Sequence, residues 1–424
     1  MLRLLGAGTR RAALVLAGLG AAGACNDCSN RSIYSHADGD HHVHEPTFGA
    51  SATVRNNRKD PGRGEKQTAK KRDLSSLILV SGTSHTALTK EIAGLIEVPV
   101  SNATILRFSD GEVSIQMNDS LRGNDVVIVQ SCASPVNDNI IELLLTVSCA
   151  RRAGAKRVIA VIPYYGYKAH RRGSALSTKF QSRFLSSGAM DFAKMLQEMG
   201  VDRVISVDLQ RPGQGQEACF FDTSVPLEVV LSTNLMIDHI AKNVKLADRL
   251  VVVAPNAETF KKARKFQAGL QQKLGRTVQL VSFFASDSGS GPTDTTTLEL
   301  VGDIQNLKEA DVIIVDDMVD TAGTLSDLSR LLQDAGAKSI YLAASHGLFT
   351  GNSMERIEQS PVKRVFVTNS LPLPEVGVVS SKVEQISIAP HLGHIILAEY
   401  FRALSTAKEE EFRDEWEGDH DDIE

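Results

Sequence analysis

Five cysteines in 424 residues, at positions 25, 28, 132, 149 and 219, are too few and too scattered for a disulfide framework. Cys25 and Cys28 form one C-x-x-C with no second pair, a weak metal or redox signal. No apolar run reaches the ~18 residues that a bilayer-spanning helix needs, so no transmembrane span is expected. No G-x-x-x-x-G-K-[ST] occurs, which excludes a P-loop NTPase. Gly18 to Gly23 spells G-x-G-x-x-G, but no strand precedes it and no βαβ unit contains it, so it does not imply a dinucleotide fold. A large charge of one sign is also missing from the body of the chain. The net charge of −5 divides into +5 over residues 1–76, −8 over 408–424 and −2 over 77–407. A near-neutral centre gives no support to nucleic-acid binding.

With 42% hydrophobic and 23% charged residues, the chain is neither wholly disordered nor fibrous, and its length allows two or three domains. Residues 1–26 hold Arg3, Arg10 and Arg11, no acid, and an apolar stretch from Ala12 to Ala24. This reads as a targeting segment, secretory or organellar, or as an unstructured leader. Residues 29–76 are rich in Ser, Asn, Gly, His and Lys and are expected to be disordered; His36, His41, His42 and His44 there are a solvated linker or a weak metal site. From Ser76 onward, short apolar runs alternate with helical patterns. Strands are expected at 77–81, 125–130, 157–163, 203–208, 249–254, 278–284, 311–315, 339–344 and 364–368. Continuous apolar runs of this kind suit parallel strands buried on both faces. Thr83 or Ser84 is expected to cap a helix through Ile96, and 137–153 to place Ile140, Ile141, Leu144 and Leu145 on one face. Ile105 to Met117 reads as a hairpin about Asp110-Gly111. The fold class is therefore α/β, with two doubly wound parallel-sheet domains. The expected division is an extension 1–76, domains 77–225 and 226–407, and an acidic solvated tail 408–424.

The most informative stretch runs from Asp311 to Leu325. An apolar strand ends in Asp316-Asp317; a small, hydroxyl-rich turn follows (Asp320, Thr321, Ala322, Gly323), and a helix starts near Thr324. In open α/β sheets, ligands bind beyond the carboxyl ends of strands. Gly323 lets backbone approach a phosphate closely. Amides at a helix start favour an anion. Asp316 and Asp317 suit vicinal hydroxyls or a hydrated Mg²⁺. A plain acidic turn capping a helix accounts for one Asp and one Thr, but not for the whole set.

This loop resembles the phosphoribosyl-pyrophosphate (PRPP) loop of type I phosphoribosyltransferases and PRPP synthetases. The likeness to PRPP synthetase continues through Ser81-Gly-Thr-Ser-His85, Phe108-Ser-Asp-Gly-Glu112, Leu121 to Gln130, Asn137 to Leu144, Arg157 to Tyr167, Phe220-Phe-Asp222, His346-Gly347 and Val367-Thr-Asn369. It covers roughly 77–405 in order. It implies a ribose-phosphate diphosphokinase that moves a diphosphoryl group from ATP to ribose 5-phosphate, gives PRPP and AMP for nucleotide biosynthesis, and uses Mg²⁺. By the same resemblance, Asp316, Asp317, Asp320, Thr321, Ala322, Gly323 and Thr324 bind ribose 5-phosphate. Phe108, Asp110 and Glu112 bind ATP across a subunit interface. Asp208, Gln210 and Asp222 are the metal candidates. The resemblance also implies a homo-oligomer built from dimers, up to a hexamer, or a hetero-oligomer with an active PRPP synthetase, and a cytoplasmic location unless the leader directs otherwise.

Four departures from the family pattern stand near the expected chemistry. Asp-Leu-His reads Asp208-Leu209-Gln210. Ser-Pro-Asp-Ala-Gly-Gly reads Ala254-Pro255-Asn256-Ala257-Glu258-Thr259. Tyr-Ala-Arg-Gln-Asp reads Tyr167-Lys168-Ala169-His170-Arg171. The loop that carries a lysine in the family reads Phe284 to Pro292, with no Lys or Arg. Lys168, His170, Arg171 and Arg172 are the candidate catalytic cations that compensate. The alternatives are a non-catalytic PRPP-synthetase-associated regulatory subunit and, with no role for the N-terminal half, a phosphoribosyltransferase.

Overall fold

A computed structural model describes residues 73–168, 188–209, 221, 224–286, 297–301, 304–374, 377 and 379–418. The described residues form one compact unit. The expected leader, the linker, His170, Arg171, Arg172, Gln210 and Asp222 lie outside the described residues.

The first sheet has five parallel strands in the order β1-β4-β5-β6-β7: Leu77–Ser81, Asp125–Val129, Arg157–Ile162, Arg203–Val207 and Leu227–Val230. Each apolar run is divided by the two-residue period of a strand. Val126, Ile128, Val158 and Ala160 face one side, with Ile140 and Leu144 of α2 (Val136–Arg152) and Phe192 of α3 (Gly188–Glu198). Leu79, Val127, Ile159 and Val161 face the other, with Leu88 and Ile92 of α1 (Thr86–Ile96). Burial of both faces explains why these runs lack polar alternation.

The second sheet has seven strands in the order β10-β9-β8-β11-β12-β13-β14. These are Thr297–Val301, Gln279–Ser286, Leu250–Ala254, Asp311–Val319, Ser339–Gly347, Val362–Thr368 and Val383–Ile386. All pairs are parallel except β10 with β9. Leu328 and Leu332 of α6 (Gly323–Asp334) and Ile357 of α7 (Ser353–Gln359) cover one face. Met236 and Ile240 of α4 (Thr233–Asn243), with Phe266 and Leu270 of α5 (Phe260–Leu274), cover the other. The α/β class with parallel sheets is therefore the observed one. The hairpin is also present, as β2 (Ala103–Arg107) and β3 (Val113–Met117), with Gly111 at φ 93 in the turn.

Several local expectations are corrected. Thr83 and Ser84 do not cap α1: its cap residue is His85, with no side-chain capping bond. The Thr83 amide and hydroxyl donate to Glu142, and those of Ser84 donate to Gln130. On α2, Ile140 and Leu144 are buried, whereas Ile141 and Leu145 are exposed on a neighbouring stripe. β11 does not stop at Val315; it continues through both carboxylates to Val319, paired with β12. The chain leaves the first sheet only after β7, a little beyond residue 225. The last helix, α8 (Ala389–Gly418), returns to the first sheet. Its Leu392, Ile396 and Tyr400 join the core beneath α1, and buried Glu399 accepts from Arg203 at 3.0 Å. A Cβ on Gly393 would lie 3.0 Å from Ile96 Cγ2, so the two helices meet closely there.

Candidate active site

The loop between β11 and α6 sits at the carboxyl end of a central strand. Asp316 and Asp317 are half-buried, and the Asp317 amide donates to Asp316 Oδ1 at 2.8 Å. Ala322 precedes α6 in the left-handed region, at φ 56. That turn directs the chain into the helix and leaves Thr321 and Thr324 exposed at its start. Asp320 accepts from the Thr350 hydroxyl and, through its carbonyl, from the Thr350 amide at 3.2 Å. Arg356 donates to the Thr321 carbonyl at 3.0 Å. The loop is thus braced from the segment after β12. It lines a cleft of about 120 Å³ with Pro255, Asp316, Asp320 and Gly323 through Leu325. A Cβ on Gly323 would meet only Arg356 Nη1 at 3.5 Å and Thr321 Oγ1 at 3.8 Å, both ordinary contacts. The protein's own packing therefore does not require glycine at 323, and the cleft is lined by Thr321 through Leu325 at the helix start.

On the first sheet, the loop after β1 is tied into a buried polar knot. Glu142 has no exposure and receives the Thr83 amide at 2.7 Å, the Thr83 hydroxyl at 2.6 Å, Gln130 Nε2 at 2.8 Å and Arg107 Nη2 at 3.0 Å. Four donors on two oxygens fill a carboxylate. A Cβ on Gly82 would lie 2.1 Å from Gln130 Oε1, so only glycine fits beside this knot. Arg107 is the last residue of β2, so the knot also holds the hairpin whose tip carries Phe108, Asp110 and Glu112. Phe108 is 54% exposed, and Asp110 and Glu112 are exposed as well. A cleft of about 1010 Å³ opens between this loop and the segment after β12, lined by Arg107, Asn137, Tyr164, Phe349 and Pro374 among others.

The two sheets meet across hydrogen bonds. The Ser131 hydroxyl donates to the Ser370 carbonyl at 2.7 Å, and His85 Nε2 donates to the Asn369 carbonyl at 2.9 Å. The third link is Asp208, just past β6, buried and at φ 41. Its carboxylate accepts from the Ser232 amide and hydroxyl, from the Ser345 hydroxyl, and from Lys262 Nζ at 3.5 Å. Burial works to raise the Asp208 pKa, but the Lys262 charge, the two serine hydroxyls and the Lys168 charge outweigh it and leave it below the ordinary carboxylate value. Lys168 Nζ donates to the Asp208 carbonyl at 3.1 Å and stands 5.2 Å from the Tyr164 ring centroid. Next to Ser345, His346 is wholly buried and its Nδ1 pairs with the Ser370 hydroxyl at 2.8 Å. Burial, then the charges of Lys168 and Lys262, hold its pKa well below 6.5, so the ring is neutral.

Of the candidate cations and metal ligands, Lys168 and Asp208 are described, and they are neighbours. Asn256 stands where the family pattern has Asp; its Oδ1 accepts the Thr259 amide at 3.0 Å, just before α5. Among the described residues, no group of three His, Cys, Asp or Glu side chains could hold a metal ion. Lys262, Ser345 and Glu142 carry polar structure that sequence reasoning missed. A charged residue inside an otherwise apolar helical stripe, as Glu142 is on α2, was the available signal; Lys262 among Lys261, Arg264 and Lys265 gave none.

A strand–loop–helix turn at the carboxyl end of β11, on the second of two mainly parallel sheets, marks an α/β protein of the type I phosphoribosyltransferase kind. The profile of the N-terminal domain of ribose phosphate pyrophosphokinase matches residues 77–200, and that of the phosphoribosyl synthetase-associated domain matches 285–409. The ribose-phosphate pyrophosphokinase of Aquifex aeolicus is 38% identical over 323 residues, which cover 76% of this chain and 96% of the relative. Ribose-phosphate pyrophosphokinase 1 of Streptococcus agalactiae is 33% identical, covering 76% and 94%. The crystal structure of phosphoribosylpyrophosphate synthetase from Mycobacterium smegmatis superposes with a TM-score of 0.65 at 29% identity, covering 77% of this chain and 99% of that one. The chain belongs to the ribose-phosphate pyrophosphokinase family. Among the described residues, no helix is long and apolar enough to cross a membrane.

Proposed function

We propose that the protein is a ribose-phosphate diphosphokinase whose substrates are ATP, as its magnesium complex, and ribose 5-phosphate. The anomeric hydroxyl attacks the β-phosphorus of ATP. An O–P bond forms to the sugar, the bond from the β-phosphorus to the bridging oxygen breaks, the hydroxyl proton is lost, and AMP leaves. Reactions of this class depend on positioning and charge neutralisation more than on covalent chemistry. The observation that carries the reading is the braced loop 316–324 with its open face at Gly323. Thr321 to Thr324 would take the 5-phosphate at the start of α6, where amides and dipole favour an anion. Asp316, Asp317 and Asp320 would face the sugar hydroxyls. Phe108, Asp110 and Glu112, at the tip of an exposed hairpin, would serve ATP in a second subunit, in a dimer-based homo-oligomer. Lys168, with His170, Arg171 and Arg172, would supply cations for the ATP phosphates. We divide the chain functionally near residue 225, with ATP-side groups before it and the sugar-phosphate loop after it.

The residues do not fit a resident Mg²⁺ at Asp208, because Lys262, Ser232 and Ser345 already crowd its Oδ2 and a second ammonium, Lys168, stands on its carbonyl. This observation favours a second reading, a non-catalytic subunit that keeps the ribose-phosphate loop and assembles with active synthetase. Both readings require the loop to bind ribose 5-phosphate. Calorimetry with ribose 5-phosphate tests this: wild type binds, and Gly323→Val does not, because a branched side chain fills the phosphate position. Equal affinity in the two proteins rejects the loop assignment.

A further inference from the structure

The cation demand at the end of β6 is met by the chain itself. Asp208 lies at the carboxyl edge of the first sheet, where α/β proteins place ligands. Its Oδ2 accepts from the Ser232 hydroxyl, the Ser345 hydroxyl and Lys262 Nζ, and its Oδ1 accepts the Ser232 amide at 3.4 Å. Lys262 also donates to Ser345 Oγ, so the ammonium is held from two sides. It reaches Asp208 from the first turn of α5 and is 14% exposed, enough to present one face outward. A second ammonium, Lys168, stands on the Asp208 carbonyl. An octahedral Mg²⁺ ion needs oxygen ligands at ~2.0–2.1 Å. Placed on Asp208, it would stand beside two positive charges, and at Oδ2 it would have to displace Lys262. The neighbouring carboxylate of the family pattern is Asn256 here, and its oxygen is committed to the Thr259 amide.

We propose that the Lys262 ammonium, with Lys168 beside it, replaces a protein-held divalent ion at Asp208, and that this protein takes up divalent metal there only as the nucleotide complex. The inference deepens the diphosphokinase reading, on which its catalytic meaning rests. The fixed ammonium groups supply positive charge for the ATP phosphates where the loop 284–292 has no Lys or Arg. An ammonium exchanges no water and needs no second binding event. Free metal beyond that complexed to ATP then has no site at Asp208 to fill.

The test needs no turnover, so it can fail independently of the proposed activity. Mn²⁺ is titrated into the full chain without nucleotide, and free Mn²⁺ is read by electron paramagnetic resonance. Wild type and Asp208→Asn are expected to titrate alike, which subtracts any weak binding elsewhere. Lys262→Met is expected to gain one equivalent of Mn²⁺ binding, tighter by about a hundredfold or more, the scale of removing a unit charge a few ångströms from a divalent ion. The double variant Lys262→Met, Asp208→Asn should lose that equivalent. Wild type that binds Mn²⁺ in an Asp208-dependent way overturns the proposal, whether or not Lys262→Met folds. A folded Lys262→Met with no gain, circular dichroism unchanged, overturns it as well.

Discussion

Arg107, the last residue of β2, donates to Glu142, a carboxylate wholly buried in α2, at 3.0 Å. The same guanidinium reaches Asn139 at 3.3 Å and Asp138 at 3.4 Å. Arg107 is thereby the rivet between the β2–β3 hairpin and the body of the first sheet. Phe108 follows it directly, 54% exposed, with its amide donating to the Glu112 carbonyl at 2.8 Å across the turn. Arg107→Met should leave Glu142 one donor short and cost roughly 1.5–3 kcal/mol, the range for a hydrogen bond to a charged group. Thermal unfolding reads that loss. The KM for ATP should rise while ribose 5-phosphate affinity stays at the wild-type level; parallel losses for both ligands would contradict a hairpin-specific role.

The loop residue Ala322 makes a second, opposite prediction to that for Gly323. Ala322 is buried at φ 56, a conformation that costs a non-glycine residue about 1–2 kcal/mol. Glycine removes that strain but adds freedom to the unfolded chain and loses a buried methyl. Ala322→Gly should therefore stay within about 1 kcal/mol of wild type in denaturant unfolding. It should also keep its ribose 5-phosphate affinity. A loss of binding comparable to that of Gly323→Val would show that the loop is merely fragile.

Burial and the nearby lysines depress the pKa of His346, and burial chiefly depresses those of His85 and His391. Each ring binds a proton more readily when the chain is unfolded. Stability from these groups is full above about 6.5 and falls as pH drops through the unfolded value towards the lower folded one. The slope is about 1.4 kcal/mol per pH unit for each proton taken up on unfolding. Urea unfolding between pH 7.5 and 5, as an approximate range, should show stability decreasing, and His346→Asn should make the decrease shallower. A stability that rises on acidification would contradict the neutral, buried assignment.

Asp208 behaves with the same sign over a lower window. Its pKa lies below the ordinary carboxylate value of 3.8, so the stability it contributes is complete above that value and is lost as pH falls through the folded one. Asp208→Asn leaves Lys262 and Lys168 without their shared anion. Breaking a buried pair by removing one partner costs about 3–5 kcal/mol. Differential scanning calorimetry at neutral pH should place this variant well below wild type; an unchanged Tm would mean that the pair contributes nothing to the junction of the two sheets.

The inner parallel strands, and β1 at one edge, were legible because each is a short apolar run, and the run length itself encodes burial on two faces. The edge strands β7, β10 and β14 were not, since Leu227–Val230, Thr297–Val301 and Val383–Ile386 mix charged with apolar residues. The loop 316–324 stood out because acids, threonines and glycine are contiguous in the chain. Glu142, Lys262 and Ser345 did not, because their meaning arises only from contacts across tens or hundreds of residues. The strand through Asp316-Asp317 shows the same limit in reverse. Two carboxylates read as a strand end, yet pairing with β12 continues past them because their neighbour Met318 is buried.

The central claim is diphosphoryl transfer to ribose 5-phosphate, and phosphorus NMR of the purified full chain with Mg·ATP tests it most directly. The account predicts PRPP and AMP in equal amounts, with no ADP, only when ribose 5-phosphate is present. ADP as the nucleotide product, AMP release without the sugar, or no turnover at any concentration of Mg·ATP and ribose 5-phosphate would contradict it. In the last case the non-catalytic subunit would become the better description of this chain.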